Sequence, residues 1–426
     1  MSRKRAAAGT IVVAALLFLG AMPLSPMSAA ERTQIVSLSR EALAASTLDL
    51  GGLDILTERA GKLYVVAGER DLELLDRARI EYAPETSRFP GIGAIRDAQS
   101  GGNGDYHSYA ELETDLFGLE RKYPLLAKVF DIGDSLEKRD IYALKISDNV
   151  AFEEEEAEVL FLGCHHAREW ISLEVPFLLG KYLLENYATN PDIRRLVDAS
   201  EIWIVPLVNP DGLEYSIHVY RYWRKNRRDN GQGYFGVDLN RNFGFKWGLD
   251  NVGSSGTPAA EDYRGKAAFS EPETQAVRDL FLRKDFRALI SYHSFSQTIL
   301  YPWGYSDSVI SDKEAALREI GTEMARRIKA VNDRVYEVGQ AGKVLYLTNG
   351  DVTDWAHAAS GIPAYTIELP PIDELGGGFF NRTSDIDPIF RENLPAMLYL
   401  IETAVLAYRP PVPSAFDLHS LLFIKD

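Results

Sequence analysis

The sequence predicts an α/β fold: a mixed, mostly buried central sheet flanked by helices and preceded by a small αβ module. Three observations carry this. Short runs such as 159–163 and 202–208 are apolar at every position, the pattern of strands covered on both faces. Segments between them place apolar residues at helical spacing. A glycine-rich stretch, Ser100-Gly101-Gly102-Asn103-Gly104, then separates a short first part of the chain from a long second part.

Taken in order, residues 1–30 open with Arg3-Lys4-Arg5. An apolar run from Ala6 to about Leu24 follows, and Ser28-Ala29-Ala30 closes the segment. This is the layout of a secretory signal peptide, interrupted at Gly9, Thr10, Gly20 and Pro23 and so short of a membrane span. The expected location is therefore secreted or periplasmic. Residues 31–88 read as the small αβ module and a propeptide, with strands over 34–40 and 53–66 and helices over 41–48 and 70–80. Leu72, Leu75 and Arg79 share one face of the second helix. Residues 89–104 are the linker, 105–408 the main domain and 409–426 a tail.

The main domain opens with Ser108, three residues before Glu111, a capping box for a helix carrying Leu112, Leu116 and Leu119 inward. Strands are expected over 128–132, 141–146, 159–163, 202–208, 288–293 and 364–369. Ser270 and Glu273 read as a second capping box, with Val277, Leu280 and Phe281 facing the core.

Charge narrows the function. The chain of 426 residues carries a formal charge of −16, and losing residues 1–30 removes three basic and no acidic residues, giving −19. Such a body repels nucleic acid and anionic membrane, so neither is an expected partner. The one cysteine, Cys164, allows no intramolecular disulfide and, at an apolar strand end, reads as a buried structural thiol. Acidic loops match no strong calcium motif. The sequence leaves the oligomeric state open.

Chemistry begins where the strand over 159–163 gives way to His165-His166-Ala167-Arg168-Glu169-Trp170. A histidine and a glutamate three positions on can meet at one atom where a strand turns, and a remote histidine would complete a His2Glu zinc site with one open position. His165 and Glu169, four apart as on a helix, are the competing pair. Further groups follow in order: Arg221-Tyr222-Trp223-Arg224-Lys225, Asp238-Leu239-Asn240-Arg241-Asn242, Ser291-Tyr292-His293, Tyr346 ahead of Asp354-Trp355, and Glu368 within an apolar strand. A glutamate there is costly to bury without a functional reason.

At these residues the chain resembles the zinc metallocarboxypeptidases of the pancreatic A and B type, with a HHARE form similar to bacterial carboxypeptidase T. The resemblance covers about residues 105–408. It implies hydrolysis of the C-terminal peptide bond of peptides and proteins, with one zinc ion per chain held by His166, Glu169 and His293. It implies Arg224 on the scissile carbonyl and Asn240, Arg241 and Tyr346 on the substrate's terminal carboxylate. Glu368 is then the general base for a zinc-bound water. A planar guanidinium suits a carboxylate, and a carboxylate beside the metal can move the water proton to the leaving amine. Asp238 is expected to fix the tautomer of His166, and Arg168 to steer substrate inward.

The remaining positions read as follows. Arg221, Lys225, Arg227 and Arg228 are expected to form a solvated basic loop, and His107, His218, His357 and His419 to be ordinary surface or core residues. Thr353, just before Asp354-Trp355, occupies the position at the bottom of the family's specificity pocket. Gly304 leaves room elsewhere in the pocket, and Asp351 stands two residues from Thr353. An uncharged pocket favours apolar side chains, while Asp351 would allow some Arg or Lys. Phe295 stands where animal members carry tyrosine, and Leu369-Pro370-Pro371 lacks the Arg-Asp that follows the glutamate in them. A peptidoglycan-directed or other amidohydrolase, or a silent binding module, are the alternatives, and loss of Glu368 or Arg241 would have favoured them.

Overall fold

The computed structural model describes residues 34–39, 42, 54–59, 62–85, 103–372 and 378–408. The expected leader, the helix expected over 41–48 apart from Ala42, the linker up to residue 102, the tail and His419 lie outside them.

The first part of the chain folds as an antiparallel sheet of β1 (Gln34–Ser39), β2 (Asp54–Arg59), β3 (Lys62–Ala67) and β4 (Tyr82–Pro84), with helix α1 (Glu69–Arg77) before β4. The expected strand region 53–66 is thus a pair, Arg59 standing opposite Lys62. Alternation along β1 and β3 sends Val36, Leu38, Leu63 and Val65 to one face, where Leu75 of α1 and Ile80 cover them. Ile35 and Tyr64 point to the other face and pack against Tyr222 and Phe379 of the main domain.

The main domain is built on eight strands: β5 (Ala127–Asp134), β6 (Asp140–Ile146), β7 (Ala157–Leu162), β8 (Ser200–Val205), β9 (Phe286–Ser294), β10 (Thr298–Tyr301), β11 (Glu337–Gln340) and β12 (Ala364–Leu369). Their order is β11-β10-β12-β9-β7-β8-β6-β5. The central four, β12, β9, β7 and β8, are parallel. The sheet is mixed because β6 joins β8, and β10 joins β12, antiparallel. Every residue of β7 and β8 is buried.

Helices cover both faces: α2 (Tyr109–Lys122), α3 (Ile171–Asn186), α4 (Pro191–Val197), α5 (Pro210–His218), α6 (Pro272–Arg283), α7 (Glu314–Asn332), α8 (Ala341–Val344), α9 (Val352–Ser360) and α10 (Ile386–Ala407). Strand residues alternate between two cores. Val159, Phe161, Ile290 and Tyr292 meet α3, α7 and α10, while Leu160, Leu162 and Leu289 meet α6 and α9. Each fully buried aliphatic or aromatic side chain contributes about 1.5–3 kcal/mol relative to exposure. This parity also sends Ser291 and His293 of β9, and Thr366 and Glu368 of β12, to the α6/α9 side.

The first capping box forms as expected, with Ser108 and Glu111 satisfying each other's backbone N–H groups at 2.9 and 3.4 Å. The second does not. Pro272, which suits a first helical position, starts α6 one residue late, with Glu271 as its cap residue. The Ser270 hydroxyl donates to Glu271 instead at 2.7 Å, and Glu273 accepts from Asn226 Nδ2 at 3.2 Å.

Candidate active site

The carboxyl ends of β7, β9 and β12 lie side by side, the place where parallel sheets gather ligands. His166 and Glu169 sit on the turn from β7 into α3, and His293 is the last residue but one of β9. Three side chains converge there. His166 Nδ1 is 2.8 Å from Glu169 Oε1, His293 Nδ1 is 3.0 Å from Glu169 Oε2, and the two Nδ1 atoms are 3.1 Å apart. A tetrahedral zinc shell with bonds of about 2.0–2.1 Å has edges of about 3.3 Å, so the spacing matches three corners and leaves the fourth open.

The donor set suits a metal cation. Asp238 Oδ1 lies 3.1 Å from His166 Nε2 and accepts a hydrogen bond when that nitrogen carries the proton, in which tautomer Nδ1 presents a lone pair to the Glu169 carboxylate. Two electron-rich atoms at that distance repel unless a metal lies between them, and the donor set therefore fits zinc. His165 is outside this group: it is buried, with Nδ1 3.3 Å from Ser291 Oγ. A carboxylate cluster away from this group, Glu153, Glu158 and Glu201, is paired with Lys145, 2.7 Å from Glu201, and with Lys284, 3.4 Å from Glu158.

Asp238 does more than its sequence position suggested. Its Oδ2 receives both Arg224 Nε, at 3.0 Å, and Arg224 Nη2, at 2.8 Å. Burial opposes its charge, but Arg224 and His166 outweigh burial and hold Asp238 well below the usual carboxylate range. Arg224 is thereby pinned with Nη1 3.8 Å from Glu169 Oε1. Glu368 stands in register with His293 on the neighbouring parallel strand. It is 9% exposed, and burial, reinforced by the Glu169 charge, pushes its carboxyl well above the ordinary range while Arg224 and Arg241 pull it back.

A family profile described as zinc carboxypeptidase matches residues 112–396. The chain belongs to the zinc carboxypeptidase family. A relative named zinc carboxypeptidase, from Saccharothrix mutabilis subsp. capreolus, is 32% identical over 417 residues, covering 91% of this chain and 93% of the relative. Carboxypeptidase B of Astacus astacus is 36% identical over 277 residues, 64% of this chain and 88% of that one. The solved structure of thrombin activatable fibrinolysis inhibitor aligns at a TM-score of 0.75 with 26% identity, covering 88% of this chain and 100% of that one. The protein is a zinc-dependent carboxypeptidase acting on peptides, and the amidohydrolase and silent-module alternatives are not needed.

Around the donor set of this carboxypeptidase, Arg241 is 3% exposed. Its Nη1 donates to the Asn240 carbonyl at 2.7 Å, its Nε has no hydrogen-bond partner, and no carboxylate of the described residues is within ion-pair distance of it. Tyr346 is half exposed, its ring centroid 5.9 Å from the guanidinium. Asn240 turns Nδ2 toward His293 because its Oδ1 accepts from Val352 N at 3.0 Å. Arg168 is buried and lies over the Phe379 ring at 4.2 Å, and Phe379 also packs on Phe295.

Several expectations need correction. Arg221 and Lys225 are buried, not solvated. Arg221 lies over Trp170 at 3.5 Å and donates to the carbonyls of Arg168 and Phe379, while Lys225 donates to Ala260 O at 2.8 Å. Arg228, half-buried, pairs with Glu271 at 2.9 Å, and the half-buried Arg227 lies over the Tyr215 ring at 3.6 Å. Aromatic neighbours and carbonyls from distant loops receive these cations, which no local pattern announces. Gly304 is a close approach rather than a pocket vacancy, since a Cβ there would sit 2.2 Å from Thr348 Oγ1. Asp351 caps α9, accepting from Asp354 N and Thr348 Oγ1 at 2.8 Å each, and the Thr353 hydroxyl meets that of Thr366 at 2.7 Å. Sequence reading also missed Ser291, whose Oγ lies 3.1 Å from His293 Nε2. Its place two residues before His293 on a strand was the available signal.

Proposed function

We propose that Arg241, with Asn240 and Tyr346, grips the free C-terminus of the peptide, that His166, Glu169 and His293 hold the zinc ion, and that Glu368 is the general base. Arg241 carries this reading. A buried guanidinium without a carboxylate is costly, and a substrate carboxylate would satisfy its remaining N–H donors bidentately. Zinc, when bound, supplies a Lewis acid and a water of lowered pKa. Glu368 takes the proton of the attacking water, a task that its burial-raised proton affinity suits, and passes it to the departing amine. Arg224, fixed by Asp238, points Nη1 toward the metal donors and meets the negative charge growing on the scissile carbonyl, a contribution of about 3–4 kcal/mol per donor in comparable sites. Arg168, stacked on Phe379, lines the approach. Amino acid release from blocked dipeptides should occur and should stop with a chelator; release that survives metal removal would overturn the reading.

Residues 1–30 are proposed to export the chain to the periplasm or outside the cell. Residues 31–88 are proposed to be a propeptide that restrains the enzyme until the 89–104 linker is cut near Arg88 or Arg96. Support comes from Ile35 and Tyr64, which pack on Tyr222 and Phe379 in a cluster that includes Phe295, two residues past His293. Intact protein should release amino acids from small substrates more slowly than linker-cleaved protein freed of its module. Equal rates would refute inhibition.

For the removed residue, broad release is proposed, with Phe, Leu and Met favoured through the neutral Thr353 and some Arg and Lys accepted through Asp351. Asn caps a helix as well as Asp does, so Asp351→Asn should preserve α9 and remove only the charge. The kcat/KM for substrates ending in Arg should fall by about tenfold, the scale of one charge-assisted hydrogen bond, with little change for Phe. A strict preference for Arg that survives the substitution would place the acidic determinant elsewhere.

A further inference from the structure

His165 takes no part in the site as read above, yet it is packed into it. Its ring stacks on His293 with centroids 5.5 Å apart and planes at 16°. Its Nε2 is buried with no hydrogen-bond partner among the described residues. An orphaned buried donor costs roughly 1–3 kcal/mol, so the other ring nitrogen should do something an apolar side chain would not.

With a metal on Nδ1, His293 carries its proton on Nε2. Two groups face that nitrogen, Ser291 Oγ at 3.1 Å and Asn240 Nδ2 at 3.3 Å. The N–H of Val352 donates to Asn240 Oδ1, which fixes the amide so that it offers His293 a donor and cannot accept. Ser291 is left as the acceptor. Its hydroxyl must then send its own proton onward, and the partner within reach is His165 Nδ1 at 3.3 Å. His165 is thereby the Nε2–H tautomer, and that N–H is the orphaned atom.

We propose that His165 is a positioning residue for the metal. It ends a relay from His293 Nε2–H to Ser291 Oγ–H to His165 Nδ1, which holds His293 in its ligating tautomer and ring orientation. The relay rests on His293 being a zinc ligand, and the stacked rings leave His293 no second orientation on that side.

The test is zinc affinity of the full chain by chelator competition, together with the visible spectrum of the cobalt(II)-loaded protein. His165→Phe, which keeps a ring and removes the acceptor, should weaken zinc binding by about 10–100-fold and alter the cobalt spectrum. His165→Gln, whose Oε1 can accept from Ser291, should recover most of the loss. Ser291→Ala should match His165→Phe, and the two together should lose little more than either alone. Should His165→Phe not fold, the contrast between Ser291→Ala and His165→Gln decides the matter. Wild-type affinity and spectrum in Ser291→Ala, or losses that add in the double variant, would overturn the relay. His293→Ala separates the two readings. Undiminished zinc binding there faults the ligand assignment, whereas lost binding there with normal binding in Ser291→Ala faults only the relay.

Discussion

His293→Ala is expected to abolish turnover and to leave a folded domain that cannot keep its zinc. His293 is one of the three proposed protein donors, and its Nδ1 lies 3.0 and 3.1 Å from the other two. Loss of outer contacts alone commonly costs about 10–100-fold in metal affinity, so loss of a ligand should cost more. The fold should survive because the strand around it keeps its core. Ala288, Ile290 and Tyr292 remain packed on one side of β9 and Leu289 on the other. Metal analysis after gel filtration, with circular dichroism on the same sample, checks both halves. Full zinc occupancy in the variant would refute the ligand assignment.

Glu368→Gln is expected to lower kcat by at least about 100-fold with far less change in KM, because the amide keeps the shape and loses the proposed base. In-register pairing with His293 holds the carboxylate beside the metal donors, and Thr298 lies opposite it on the other neighbouring strand. The sign of the pH effect follows from its environment. Burial and the Glu169 charge raise the affinity of Glu368 for a proton, and the base acts only when deprotonated, so kcat/KM should rise with pH through its titration. That acid limb should flatten in the glutamine variant. Near-normal kcat would mean that another group activates the water.

Much of this was legible in the chain itself. Strands occur at the apolar runs over 159–163, 202–208, 288–293 and 364–369, although β7 and β8 begin two residues earlier and β8 ends at Val205, because strands buried on both faces are rich in apolar residues. Period-two alternation places Ser291 with His293, and Thr366 with Glu368, on common faces, a signal the sequence reading did not use. The short strands β4, β10 and β11 were not read. Each has only three or four residues, and the Glu-Val-Gly-Gln of β11 carries no apolar pattern. β4 and β11 become strands by pairing at sheet edges and β10 by pairing between β11 and β12, which are tertiary events.

By itself the sequence determined the residue types and their order: two histidines and a glutamate able to hold a metal, a glutamate in an apolar strand, and arginines of the geometry carboxylates require. The tertiary structure alone decided which of these meet. Asp238 serves both His166 and Arg224, Arg241 is buried without a carboxylate partner among the described residues, and Asp351 caps the start of α9. His165 falls beside Ser291 rather than at the metal. The physical reason is separation along the chain. His166, Asp238, His293 and Glu368 are brought together only when β7, β9 and β12 align in one sheet, and local periodicity holds no information about which strand lies beside which.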